Sequence, residues 1–443
     1  MQVVVIGGGI AGLAAAYELA RAGEGVMLLE AGDVLGGKLR AGEVAGVTVD
    51  VGAEAMINRR PEAVGLARDL GLEIVHPTTA TSRVWTRGEL RPLPRTLMGA
   101  PVDLDDLAAS GILSADGLAR ARAQVPQRVE GDAAVGEVIA ARFGDEVTDR
   151  LVEPLLGGVY AGRARDISLR AAVPQLVPLL AAETFAAPDG PTTAESPVFA
   201  GIPGGMWQLP EVLAAAIRRA GGEIRTGATV TALRRTPDGF ALSLADEELL
   251  ADRVVLAVPA APAARLLAEV APVAAGELAE VRYASSAVVT LAFRAEEAST
   301  ALDVGASGFL VPPVDGRRIK AATYSFAKWS WVREAGQGLL VMRTSLGRFG
   351  EEETLQVPDE DLVATSLADL RDAAGLTAAP VDSVVQRWGG GLPQYAVGHL
   401  DRVARIRAAV AEVPGLAICG AAYDGVGIAP TVASAQRAVA ALG

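Results

Sequence analysis

A run of glycines near the start of the chain offers the clearest chemistry. Gly7, Gly9 and Gly12, within Gly7-Gly8-Gly9-Ile10-Ala11-Gly12, carry the spacing GxGxxG, and Glu30 stands 18 positions beyond the last of them. The first glycine permits a tight turn, the second lets backbone approach a pyrophosphate, and the third lets a helix pack closely on a strand. A helix that starts there adds unpaired N–H groups and a partial positive charge, so that Gly8, Ile10 and Ala11 face phosphate oxygens. Glu30 accepts hydrogen bonds from ribose 2′- and 3′-hydroxyls in such an arrangement and argues against a 2′-phosphate. The pattern predicts a dinucleotide without that phosphate; the plainer alternative is a glycine-rich turn in an alanine-rich helical protein.

Three elements must hold these groups. Val3-Val4-Val5-Ile6 is a β-branched run without alternation, the pattern of a strand buried on both faces of a parallel sheet. Ile10 to Ala22 is rich in helix formers, sets Leu13, Ala16, Tyr17 and Ala20 on one side, and meets Gly23 as a stop. Val26-Met27-Leu28-Leu29 supplies the next strand and completes a βαβ unit ending at Glu30.

Composition narrows the class. The 443 residues are 51% hydrophobic and 21% charged, with 50 Gly and 25 Pro, which describes a globular chain of two or three domains. A net charge of −13 is the wrong sign for a protein that neutralises nucleic-acid phosphates, so no nucleic-acid partner is expected. One cysteine, Cys419, and two distant histidines, His76 and His399, exclude a disulfide, an iron–sulfur cluster and a CxxC zinc site, and no metal is expected. The longest apolar stretch, Val254 to Ala264, contains two prolines and falls short of the ~20 residues that a membrane span needs. The apolar start lacks a basic leader and is broken by glycines, so it reads as mature structure in the cytoplasm.

Further motifs decide which dinucleotide. Ala31-Gly32-Asp33-Val34-Leu35-Gly36-Gly37-Lys38 is a second glycine-rich loop ending in a cation, and Val49-Asp50-Val51-Gly52-Ala53-Glu54-Ala55 reads as a strand and glycine turn. Near the C-terminus, the strand-like Gly415 to Gly420 leads through Asp424-Gly425-Val426-Gly427-Ile428 into a helical stretch from Thr431 to Leu442. A nicotinamide dehydrogenase has no use for the second loop. These pieces resemble the two-dinucleotide-binding-motif flavoproteins, in which an acidic residue is followed by a GG-Arg/Lys element. The resemblance implies FAD, with Ala31, Gly37 and Lys38 near the nucleotide and phosphates. It places Gly52, Ala53, Glu54 and Ala55 beneath the flavin ring. Gly420, Val426, Gly427 and Ile428 fall at a second helix end, whose positive dipole faces the ring edge. Cys419 lies inside an apolar strand and reads as a core residue, so the FAD is expected to be non-covalent.

Nearly the whole chain is similar to the oxygen-dependent protoporphyrinogen/coproporphyrinogen oxidase family, within the flavin amine oxidase group. The more specific motifs are Glu153-Pro154-Leu155-Leu156-Gly157-Gly158-Val159-Tyr160-Ala161-Gly162 with Ser168, Gly204-Gly205-Met206, Leu392-Pro393-Gln394-Tyr395 with Gly398-His399, and Gly420 to Ile428. The family has a backbone contact to adenine at Val230 and a tryptophan beside the flavin at Trp388. Arg163 stands where the family usually has Asp, which leaves open an anion-binding role or plain exposed charge for Arg163, Arg165 and Arg170.

What the resemblance implies is an α/β (α+β) two-dinucleotide-binding-domain flavoprotein with a Rossmann-like FAD domain, a mixed-sheet substrate domain and a helical subdomain. The FAD domain is expected in three pieces, 1–56, 204–268 and 384–443, and the substrate side in two, 57–203 with the helical subdomain and 269–383. The implied reaction is oxidation of coproporphyrinogen III to coproporphyrin III in haem biosynthesis, with dioxygen as acceptor and hydrogen peroxide released. Four propionates need cationic partners, for which Arg59, Arg60 and Arg95 are the candidates. No side chain is nominated as a catalytic acid or base, since the reactive atoms belong to cofactor and substrate. Protoporphyrinogen IX oxidation is the nearest alternative, then an amine oxidase or carotenoid desaturase, then a non-catalytic escort protein on the same fold. The resemblance leaves open a peripheral membrane contact and a chelatase partner.

Overall fold

The computed structural model describes residues 2–186 and 197–442. Residues 1, 187–196 and 443, which belong to the expected segments 1–56, 57–203 and 384–443, lie outside the described residues. At the centre is a five-stranded parallel sheet in the order Glu223–Arg225, Gly25–Leu29, Gln2–Ile6, Arg253–Leu256, Leu416–Ile418. Strands far apart in the chain are thus direct neighbours, with Val4 opposite Val254 and Val254 opposite Leu416.

The unalternating β-branched run has a direct cause. Val3 and Val5 enter one core with the helices Ile10–Arg21, Gln208–Arg219 and Ile428–Ala441, while Val4 and Ile6 enter another on the opposite face. The second core is closed by a three-stranded antiparallel sheet, Ala232–Thr236, Gly239–Ser243 and Glu248–Ala251, and by the helices Ala260–Leu267, Pro272–Ala279 and His399–Ala411. Both faces of the strand are therefore dry, which leaves no position for a polar side chain.

A second sheet has seven strands in the order Asp382–Pro393, Tyr283–Arg294, Leu339–Leu346, Ile319–Thr323, Ala306–Leu310, Thr81–Thr86, Glu89–Pro92. It is mixed, because Ala306–Leu310 runs parallel to Thr81–Thr86 and the other pairs are antiparallel. The helix Asp359–Ala374 covers one face, with Ser366 and Thr344 hydroxyls 2.7 Å apart inside the contact. The hairpin of Ala41–Val44 and Val47–Asp50 sends Val44, Val47 and Val49 into the core of this sheet.

The third unit is a helical cluster between Leu104 and Ala181, packed around Val135, Ile139, Phe143, Leu151 and Leu156. Its buried Arg142 donates to the carbonyls of Leu180 at 2.6 Å and Ala182 at 2.9 Å, acceptors that the end of the helix Leu176–Ala181 leaves without partners of its own. Among the described residues, no helix is long and apolar enough to cross a membrane.

Three local features have physical causes. The helix Val135–Phe143 ends at Gly144, where φ is +101°, and the chain resumes through a widened turn at Thr148–Val152 into the helix Glu153–Tyr160. Pro154 has no N–H to return to the Arg150 carbonyl, which suits the widened turn before it. After Arg225 no strand forms until Ala232, because Gly227 and Ala228 spend their N–H groups on the carbonyls of Gly32 and Glu30. The C-terminal helix begins at Ile428 rather than Thr431, since Pro430 is tolerated in a first turn whose N–H groups have no intrahelical acceptor.

Candidate cofactor site

The glycine turn has the geometry its spacing requires. Gly7 has φ of +109°, and a Cβ there would sit 2.6 Å from the Ala257 carbonyl oxygen. A Cβ on Gly12 would collide with the Gly7 carbonyl oxygen. Gly9 differs: a Cβ there would meet nothing within 4 Å, and the helix it caps has no side-chain cap and no acid in its first turn. Free N–H groups and a positive helix end therefore face open space, which is the cradle a pyrophosphate fits. Glu30 accepts from the N–H groups of Gly8 at 2.5 Å and Gly32 at 2.8 Å, so its carboxylate is fixed at the edge of this space. Val230 lies in the irregular segment after Ala228, whose N–H donates to the Glu30 carbonyl at 2.8 Å.

The second glycine loop folds back onto the first. Gly36 donates to the Gly8 carbonyl at 2.8 Å, and a Cβ on Gly37 would be 3.3 Å from the Gly9 Cα. Ala31 is exposed. Lys38 rises beside them with a solvent-accessible side chain, while crowding by the surrounding protein lowers the pKa of its ammonium through desolvation. Gly52 packs directly on this loop: a Cβ there would strike the Lys38 carbonyl oxygen and stand 3.1 Å from Cζ2 of Trp388. Trp388 itself donates from Nε1 to the Val51 carbonyl at 3.2 Å. Lys38, Gly52 and Trp388, distant in the chain, thus form one wall.

The C-terminal turn reaches the same place. A Cβ on Gly420 would lie 4.0 Å from the Ala11 Cβ, and Gly427 begins the helix Ile428–Ala441, again with no side-chain cap and no acid in its first turn. The loop between them is braced by Tyr395, whose hydroxyl donates to the Ala421 carbonyl at 2.6 Å and accepts from the Gly425 N–H at 2.7 Å. Asp424 is held by Arg407 and Arg437; burial alone would raise its pKa, but these guanidiniums keep it below the ordinary carboxylate value. Val426 packs against the helical cluster, so this turn joins two structural units.

Glu54 follows the Gly52 turn, and its side chain is turned toward the mixed-sheet unit. It is a buried carboxylate paired with Lys328 at 2.6 Å and with Arg343 at 3.2 Å. Burial would push its pKa up, yet the two cations hold it down to about 2. Nearby Asp50 is also buried and accepts from the N–H groups of Met206 at 2.8 Å and Trp207 at 3.0 Å; desolvation outweighs these bonds and raises its pKa to about 7. Asp50, Lys328 and Arg343 were missed as site residues. Arg343 carried a signal, a lone charge within the apolar strand Leu339-Leu340-Val341-Met342-Arg343.

Arg59, Arg60 and Arg95 are all exposed, and the Arg95 backbone N–H donates to Asp106 at 2.6 Å. Arg165 is engaged by Glu137, Asp145 and Asp149, whereas Arg163 and Arg170 are exposed. Cys419 is fully buried, and burial pushes its thiol up to about 12, which makes it a poor site for covalent attachment. His399 stacks on Tyr395 with ring centroids 3.8 Å apart, and burial lowers its pKa to about 4. Among the described residues, no group of three or more His, Cys, Asp or Glu is placed to hold a metal.

A parallel sheet with two uncapped helix ends at its edge, joined to a mixed sheet, defines the class of two-domain dinucleotide-binding flavoproteins. Residues 10–443 match the family described as flavin containing amine oxidoreductase, and the chain belongs to that family. It is 37% identical to coproporphyrinogen III oxidase of Mycobacterium leprae (strain TN), over 99% of this chain and 97% of that one. It is 30% identical to coproporphyrinogen III oxidase of Bacillus subtilis (strain 168), again over 99% and 97%. A crystal structure from Exiguobacterium sp. 255-15, provisionally named a protoporphyrinogen oxidase, superposes with a TM-score of 0.88 at 31% identity, covering 100% of this chain and 98% of that one.

Proposed function

We propose that this chain is an FAD-dependent oxidase of coproporphyrinogen III, forming coproporphyrin III in haem biosynthesis. The observation that carries the cofactor reading is the open, uncapped helix end at Gly9, approached by Gly37 of the second glycine loop and, at Ala11, by Gly420 of the C-terminal turn. The relatives named for coproporphyrinogen III support the choice of substrate.

The chain's own residues bind and orient. The N–H groups at Gly9, Ile10 and Ala11 take the pyrophosphate, while Gly8, whose own N–H is given to Glu30, lines the turn; Lys38 adds positive charge, Glu30 takes the ribose hydroxyls and Val230 the adenine. Gly52 to Ala55 and Trp388 line one side of the flavin, while Gly420, Val426, Gly427 and Ile428 present a positive helix end to it. Bound flavin supplies hydride acceptance from a carbon bridge of the porphyrinogen, three times per product. No protein acid or base is assigned. Dioxygen is the acceptor and the compartment is the cytoplasm. Arg59, Arg60 and Arg95 are the cations offered to propionates. The three FAD segments, 1–56, 204–268 and 384–443, serve the cofactor, and 57–203 with 269–383 serve the substrate.

The decisive test is the absorption spectrum of the purified protein before and after anaerobic addition of coproporphyrinogen III. Bleaching of a yellow holoenzyme is expected, and an unchanged flavin band would refute the reading. Because the Exiguobacterium structure is named for the other porphyrinogen, protoporphyrinogen IX is compared in the same assay. Equal or faster bleaching by that dicarboxylate would exchange the substrate assignment.

A further inference from the structure

The peptide between Gly52 and Ala53 is clamped from both sides. Its carbonyl oxygen accepts from Nη1 of Arg343 at 2.7 Å, and its N–H donates to the Lys38 carbonyl at 3.1 Å. Its plane therefore cannot turn without breaking one bond or the other. Arg343 comes from the mixed sheet, in the strand Leu339–Leu346, whereas Lys38 belongs to the loop folded onto the Gly9 cradle.

The guanidinium is itself aimed. Its Nη2 pairs with Glu54 at 3.2 Å, and Glu54 is fixed from behind by Lys328 at 2.6 Å and by the Ser325 hydroxyl at 3.4 Å. These side chains are between 8% and 18% exposed, so they interact in a setting where charge is felt strongly. The planar fork of arginine meets the carbonyl and the carboxylate together; an ammonium in its place would have to choose between them.

We infer that Arg343 is a positioning residue for the flavin: through the Gly52 carbonyl it fixes the turn beneath the ring in register with the phosphate cradle, and Glu54 and Lys328 keep it aimed. The inference rests on the reading that the flavin lies over Gly52 to Ala55. It gives the mixed sheet a direct hold on the cofactor.

The test compares Arg343→Lys and Arg343→Met with the wild type. FAD affinity is measured by fluorescence titration of flavin-stripped protein, the visible flavin band is recorded, and the melting of the stripped protein is followed. Arg343→Lys keeps a cation for Glu54 and is the variant expected to fold. About tenfold weaker FAD binding is expected, the magnitude of one lost hydrogen bond to a charged group, together with a shifted flavin band and unchanged melting of the stripped protein. In the loaded enzyme, kcat should fall about tenfold with KM within twofold of wild type. Wild-type affinity and an unaltered band in Arg343→Lys would overturn the inference, as would a loss of FAD matched by an equal loss of stability in the stripped protein. If the wild type fails to bleach with coproporphyrinogen III while Arg343→Lys still shows the weakened FAD and shifted band, the substrate assignment falls and this inference stands.

Discussion

Two alanine substitutions one helical turn apart should have opposite effects. At Gly9 the backbone φ is −72°, open to any residue, and a Cβ would enter space that no protein atom approaches within 4 Å. Gly9→Ala should therefore cost the flavin-free chain less than about 1 kcal/mol, the ordinary penalty of alanine at a helix cap. The same methyl would stand where the pyrophosphate must come close. Losing one hydrogen bond to a charged group, at about 1.5–3 kcal/mol, predicts FAD binding weaker by roughly tenfold to a hundredfold or more. Gly12→Ala drives its Cβ into the Gly7 carbonyl, which cannot move because Gly7 donates to Leu29 at 2.7 Å and abuts Ala257. Overpacking of that kind costs about 1–3 kcal/mol or more and should appear without any cofactor. Urea unfolding of flavin-stripped protein and FAD titration by fluorescence separate the two effects. If Gly9→Ala bound FAD within threefold of wild type, the open space at the helix end would not be the phosphate site. If Gly12→Ala were as stable as wild type, the close-packing argument would fail.

Tyr395→Phe removes one hydroxyl and leaves both the Ala421 carbonyl and the Gly425 N–H without it. A loss of about 1–3 kcal/mol in stability is expected, with weaker FAD retention, both read on the same titrations; a neutral outcome would show that the C-terminal turn holds its shape unaided. Asp50 gives a pH prediction with an unusual sign. Its folded pKa of about 7 lies above the unfolded value near 3.9, so between these limits the native state binds more protons and stability falls as pH rises. Asp50→Asn should flatten that slope relative to wild type in urea unfolding between about pH 5 and pH 8; parallel slopes would show that Asp50 titrates as an ordinary carboxylate.

Local pattern made part of this protein readable. Gly7, Gly9, Gly12 and Glu30 announce themselves because one turn, one helix and one strand fix their relations within a short span, and the Gly36-Gly37-Lys38 loop is legible for the same reason. Other features have no local signature. The ion pairs of Glu54 are one case, because its partners Lys328 and Arg343 come from other parts of the chain and only tertiary structure brings them together. Asp50 likewise meets Met206 and Trp207 across the fold. The strand order of the central sheet was hidden too, since Leu416 beside Val254 reflects which edge was free rather than any property of either segment.

That strand order has a consequence for how the protein is made. Leu416–Ile418 forms one edge of the central sheet, and the helix Ile428–Ala441 packs in one core with the helix Ile10–Arg21 that follows the first glycine turn. During synthesis, the N-terminal βαβ unit leaves the ribosome long before its neighbours exist, with Val3, Val4 and Val5 awaiting the strand Arg253–Leu256, which in turn awaits Leu416–Ile418. Such non-local pairing is slow to form and exposes apolar edges meanwhile. Vitamin-derived cargo can be secured only after the helix Ile428–Ala441 has emerged, so its supply would govern the survival of newborn chains rather than the speed of their elongation.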